Sequence, residues 1–257
     1  MQSEQFVEVA GHRLECLHVN GPDTAPMLVF LHEGLGSVAM WKDFPARVAR
    51  ATGCPALIYS RAGYGRSSPA SLPRTPDYMQ VEALTILPAL LDRLGINDPV
   101  LIGHSDGASI ALLHAGSGVR PVLAVVALAP HVFVEDISIA GITEARRSYE
   151  TTDLPSRLAR RHTDPDAAFR GWNDIWLSPA FRSWNIEASL PGIHCPLLLI
   201  QGRDDEYGTF AQLDAIERQA AGDVVRIELA DCRHSPHRDQ PQATLAAIAE
   251  FVSMIAP

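Results

Sequence analysis

The chain has 257 residues, 47% of them hydrophobic and 20% charged, with a formal net charge of −9. That apolar share supports a sizeable core and excludes a disordered chain, while the acidic balance argues against a nucleic-acid partner, which needs a basic face. No apolar run reaches the ~18 residues of a membrane span, and the start "MQSEQFVEVA" lacks a basic, apolar leader, so one cytoplasmic domain over residues 1–257 is expected.

In chain order, "EQFVEVAGHRLECLHV" reads as two alternating strands joined by a tight turn at Ala10-Gly11. Then "PMLVFLHEGLGS", "CPALIYSRAGYGRSS", "DPVLIGHSDG", "RPVLAVVALAP" and "CPLLLIQGRDD" repeat one grammar. Each is a short apolar run closed by glycine or polar residues, the mark of a strand buried on both faces. "DVVRIELADC" alternates more and suits an edge strand. Helical periodicity occupies "DYMQVEALTILPALLDRLG", with a kink or end expected at Pro88, and "GASIALLHAG", "TFAQLDAIERQAAG" and "QATLAAIAEFVSMIA". Strand and helix alternate, which predicts an α/β fold with a mostly parallel sheet. The 66 residues from 130 to 195 hold no buried strand but carry Trp172, Trp176 and Trp184, seven arginines and nine acidic residues. A helical cap or lid over residues 131–190 is expected there. The four cysteines (Cys16, Cys54, Cys195 and Cys232) have no C-x-x-C spacing and read as reduced and mostly buried.

The stretch "VLIGHSDGASIALLHA" carries the most chemistry. A buried strand runs into Gly103-His104-Ser105-Asp106-Gly107 and then a helix, the strand–turn–helix context in which G-x-S-x-G presents a nucleophilic serine. A serine at neutral pH needs a base, usually a histidine oriented by a carboxylate. Loops at the same end of the sheet, after later strands, offer Gly202-Arg203-Asp204-Asp205-Glu206 and then "ADCRHSPHRDQP", with His234.

These residues resemble the α/β-hydrolase superfamily along nearly the whole chain: the hairpin, the loops "HEGLGS" and "RAGYGRS", the elbow "GHSDG", the cap, the acid loop "GRDDEYG" and the loop "RHSPH". The resemblance implies an eight-stranded, mostly parallel sheet flanked by helices. It implies Ser105 as nucleophile, Asp205 as acid with Asp204 as the alternative, and His234 as base, although Arg233 replaces the family's glycine before it. It also implies an oxyanion hole from the backbone N–H groups of Gly34 and Asp106, although Glu33 stands where glycine is common.

Glu33, Trp41, His131 and Trp176 are candidate pocket residues. Glu33 and Asp106 either face the pocket and repel anionic acyl groups or, on the plainer reading, turn away to cap N–H groups. Trp172 and Trp176 share a helical face and either wall the pocket or pack the cap. "RLARRH" over residues 157–162 reads as a solvated face, with a phosphate-bearing acyl thioester as the alternative use. Arg61 and Arg66 read as structural. His234 and His237 sit three apart with Cys232 and two aspartates nearby, but their place after the last strand favours one catalytic base over a metal site. His237, past Pro236, reads as a helix-start or surface residue.

The expected function is hydrolysis of a small-molecule carboxylic ester or related acyl bond by a serine triad, with no cofactor or metal, in a monomer or homodimer. The alternatives are a carbon–carbon (diketone) hydrolase, thioesterase or lactonase using the same triad, or a catalytically weak ligand-binding receptor on this fold. Dehalogenase and epoxide-hydrolase chemistry are disfavoured, because they place an aspartate where Ser105 stands.

Overall fold

A computed structural model describes residues 2–255. The first two strands, β1 (Gln2–Val9) and β2 (His12–Val19), form the expected hairpin. Its turn places Ala10 and Gly11 at φ 47° and 81°, the left-handed pair that a two-residue hairpin turn requires. The apolar runs become β3 (Leu28–Leu31), β4 (Ala56–Tyr59), β5 (Val100–His104), β6 (Ala124–Leu128) and β7 (Leu197–Gly202), every residue of them buried. The alternating β8 (Val224–Leu229) lies at the sheet edge. The order is β1-β2-β4-β3-β5-β6-β7-β8, antiparallel from β1 to β4 through β2 and parallel beyond, so the sheet is mostly parallel, as expected.

Because side chains alternate along a strand, the sheet feeds two cores. Leu28, Phe30, Val100 and Ile102 pack on one face, and Val29, Leu31 and Leu101 on the other. The first face is covered by α1 (Phe44–Thr52), a helix not foreseen in the sequence reading. Its signals are a proline in the first turn and Gly53 at φ 71° closing it. The second face is covered by a helical stretch built from α2 (Tyr78–Val81), a π-turn over Glu82–Ile86 and α3 (Leu87–Leu94). Pro88 has no N–H to give Leu84 and crowds its carbonyl, so the helix widens there instead of ending. The same face takes α4 (Asp106–Ser117), buried from Asp106 to His114.

Between β6 and β7 lie α5 (Asp136–Thr151), α6 (Leu154–Leu158) and α7 (Pro165–Trp176), followed by two short 3-10 turns. The chain finishes with α8 (Ala211–Gln219), the single turn α9 (Pro236–Asp239) and α10 (Pro241–Ile255), which packs beside α1 on the first face. Cys16, Cys54 and Cys232 are buried, Cys195 is half-buried, and all four thiols are free. Among the described residues, no helix is long and apolar enough to cross a membrane.

Candidate active site

The site forms where β5 ends. Ser105 sits between β5 and α4 at φ 53°, ψ −119°, a strained conformation for a residue with a side chain. Two glycines make the turn possible. A Cβ on Gly103 would lie 2.3 Å from the Gly107 carbonyl oxygen, and one on Gly107 would lie 2.1 Å from that of Leu31. Both contacts are with backbone, which cannot swing aside.

The Ser105 hydroxyl is placed to donate to His234 Nε2 at 2.9 Å, and His234 Nδ1–H to donate to Asp205 Oδ1 at 2.8 Å. The structure thus brings together three residues from loops after β5, β7 and β8. Asp205 is buried and held: its Oδ1 also accepts the Tyr207 N–H at 2.9 Å, and its Oδ2 the Gln201 amide at 3.1 Å. Asp204, the alternative acid, is exposed, its N–H spent on the Cys232 carbonyl. Gln201 was missed in the sequence reading. Its signal is a polar residue at the end of an otherwise apolar strand, where burial demands a partner.

The charges follow from burial and pairing. Burial pushes the Asp205 carboxyl up, but the facing His234 ring and the N–H donors outweigh it and hold the group below its ordinary value. Burial likewise pulls His234 down, and the Asp205 carboxylate overrides it, leaving the imidazole above its ordinary value. His131 packs 5.5 Å from His234, and burial, helped by repulsion from His234, pushes it down to about 3. It is therefore a neutral wall.

The Asp106 N–H opens α4 and is one of the four that no carbonyl within the helix can accept. Its side chain turns away from the cavity and is fully buried. It accepts from Tyr78 Oη at 2.6 Å and Trp176 Nε1 at 3.3 Å, with the Arg61 guanidinium 3.9 Å away. Gly34 lies opposite in the loop after β3. That loop is pinned by Arg61, which donates to the carbonyls of His32 at 2.5 Å and Glu33 at 3.1 Å. Its own N–H donates to His32 Nε2 at 3.1 Å. Glu33 turns toward Arg238 (3.2 Å) and His104 Nδ1 (3.5 Å) at the cavity edge. The two acids therefore differ: Asp106 turns away and accepts from the Trp176 N–H and the Tyr78 hydroxyl, while Glu33 lines the cavity and pairs with Arg238.

A cavity of about 250 Å³ opens at Ser105, walled by Glu33, Gly34, His131, Tyr207, Trp172 and Trp176, with Ile142, Leu154 and Leu158 from the helical segment. Two expectations need correction. Trp41 does not reach this cavity. It packs edge-on to Phe30 at 5.4 Å and lies 4.8 Å from His237, in the core of the other sheet face. His237 is not a surface residue: it starts α9 as expected but is 5% exposed, with neither ring nitrogen hydrogen-bonded, between Trp41, Phe44 and His104. The two histidines therefore face different surroundings and do not converge on one ion. Arg238 and Met40, at the cavity rim, were also missed, because nothing local in the sequence links either to Ser105.

A profile described as "Alpha/beta hydrolase family" matches residues 28–248. The protein named "Putative carbamate hydrolase RutD" from Pseudomonas savastanoi pv. phaseolicola is 30% identical over 223 residues, covering 74% of this chain and 78% of its own. The mouse sn-1-specific diacylglycerol lipase ABHD11 is 29% identical over 149 residues, or 57% of this chain, and the matched region spans 47% of that relative. Among solved structures, the enol-lactonase from Burkholderia xenovorans LB400 superposes with a TM-score of 0.77 at 20% identity, over 97% of this chain and 100% of its own.

Proposed function

The chain belongs to the alpha/beta hydrolase family, and on that premise we propose that it is a serine hydrolase cleaving a small carboxylic ester or close acyl relative. The observation that carries this reading is the Asp205–His234–Ser105 relay, at 2.8 and 2.9 Å, on a strained turn facing a cavity. His234 Nε2 takes the Ser105 proton as Oγ attacks the carbonyl carbon. Asp205 holds the Nδ1–H tautomer and stabilises the imidazolium. The N–H groups of Gly34 and Asp106 receive the oxyanion. His234 then protonates the leaving group, and water repeats the steps in reverse to free the acid.

The helical segment acts as a cap, and its Ile142, Leu158, Trp172 and Trp176 give the acyl side an apolar wall suited to a short chain. His131 lines this pocket as a neutral ring.

A fluorophosphonate probe should label the protein at Ser105, and Ser105→Ala should remove both labelling and turnover of a short p-nitrophenyl ester while the fold, read by circular dichroism, persists. Turnover surviving in Ser105→Ala would sink the assignment. The likeness to RutD places a carbamate in the same panel, and faster cleavage of a matched carbamate than of the ester would move the assigned bond from ester to carbamate.

A further inference from the structure

A second cavity, of about 280 Å³, adjoins the one at Ser105, and the two share Met40, Leu154, Arg157, Leu158 and Arg238 as a common wall. Its own walls add Lys42, Arg160 and Arg161, so that, among the described residues, five cationic side chains and no carboxylate line it. In a chain of net charge −9 such a cleft stands out. Arg238 is engaged by Glu33 at 3.2 Å, and Arg157 only loosely by exposed Asp153 at 3.8 Å. Among the described residues, Lys42, Arg160 and Arg161 make no ion pair.

The cleft is fixed to the active site. His162, buried just after the arginines, accepts the Gly65 N–H at Nδ1 (3.0 Å) and donates from Nε2 to the Leu35 carbonyl (3.1 Å). Leu35 follows Gly34, so the turn carrying Arg160 and Arg161 is tied to the oxyanion loop. Lys42 is held at φ 54°, a conformation costly for a residue with a side chain.

We propose that this cleft binds a phosphate group carried by the part of the substrate beyond the acyl bond, which makes the substrate a phosphate-bearing acyl ester or thioester. The proposal rests on the serine-hydrolase reading above. Several guanidinium groups lining one cleft, those of Arg157, Arg160 and Arg161 on exposed residues, exceed what one carboxylate can engage but match the charge and the oxygens of phosphate. Ser105 Oγ bonds to the acyl carbon, the C–O or C–S bond breaks, and the alcohol or thiol leaves with the proton from His234. Water then releases the acid, so the phosphate takes part only in binding.

Two substrate pairs test this. S-Butyryl-4′-phosphopantetheine and S-butyrylpantetheine share acyl group, thioester and arm and differ only in the phosphate. 1-Butyryl-glycerol 3-phosphate and 1-butyrylglycerol do the same for the ester. We expect one phosphate-bearing member to exceed its partner in kcat/KM by about tenfold or more at low salt, with the advantage shrinking at high salt. In Arg160→Ala/Arg161→Ala that advantage should vanish while the phosphate-free partner is turned over as before. Which pair responds identifies the source of the phosphate. Equal kcat/KM within both pairs, or a double variant that slows both members alike, overturns the proposal. If no member is turned over while a fluorophosphonate still labels Ser105, the cleft is judged by binding alone, and if the labelling fails too the hydrolase reading falls. Calorimetry of 4′-phosphopantetheine and glycerol 3-phosphate on Ser105→Ala protein should show binding that Arg160→Ala/Arg161→Ala removes, and no binding of either refutes the cleft.

Discussion

His234 carries the sharpest consequence at the scale of single residues. Its imidazole lies above the ordinary histidine value of about 6.5, because the Asp205 carboxylate overrides burial. A general base must be unprotonated, so kcat/KM should rise with pH along a limb whose midpoint lies above that value. In Asp205→Asn the carboxylate is gone, so the midpoint should move to lower pH and kcat should fall by about 10⁴-fold, the cost of the wrong tautomer in comparable triads. A pH–rate profile of both proteins checks the two effects together, and an unmoved midpoint would detach Asp205 from the base. His237 should behave differently. It touches no reacting group, yet it fills an aromatic core, so His237→Ala should cost about 2–4 kcal/mol of stability in urea while kcat/KM of the folded fraction stays within a fewfold.

Among elements, the loop after β3 and helix α7 depend on one another. Trp172 lies directly over Gly34, so that a Cβ there would stand 2.2 Å from its indole ring. This contact explains why a glycine is needed at a position with no backbone strain of its own. Gly34→Ala should push the loop off Trp172, displace one proposed oxyanion donor and lower kcat by about 10²-fold. Adding Trp172→Ala makes room for the methyl group and should recover part of the loss. A double variant no faster than Gly34→Ala would mean that the loop, not the indole, sets the donor's place.

For the whole molecule, the burial of histidines governs acid behaviour. His32, His131 and His237 are all pulled below the ordinary value, first by desolvation. Each stays neutral when folded but takes a proton when unfolded below about pH 6.5, so the unfolded state binds more protons and stability falls as pH falls. For His131, held down at about 3, this amounts to about 2 kcal/mol by pH 5. His234, raised, works the other way, its stabilisation growing as pH falls toward 6.5 and staying constant below it, and the buried carboxyls of Asp106 and Glu82, pushed up by burial, also oppose the loss. The difference between two proteins isolates one ring. Because neither nitrogen of His237 has a partner, His237→Phe removes no hydrogen bond. The loss of stability between pH 7 and pH 5 should then be smaller than in the wild type, measured by urea unfolding at both pH values.

By itself, the sequence determined the strands, the sheet class and the elbow, because each is local. Strands buried on both faces must be continuous apolar runs, and a turn as tight as the one at Ser105 admits only glycine at 103 and 107. It also placed Asp205 and His234 in their loops, since chain order along a parallel sheet sets which loops meet at one end. Only the tertiary structure decided which groups surround them. Trp41 went to the opposite core because its segment leads into α1, which covers that face, and His237 packs against it there. Gln201, Arg238 and the Arg61 clamp are long-range partners whose identity depends on what packs against them, and no spacing along the chain records that. The arginines of residues 157–161 have the pattern of a solvated helix face, and only folding beside the cavity at Ser105 turns them into the wall of a cleft.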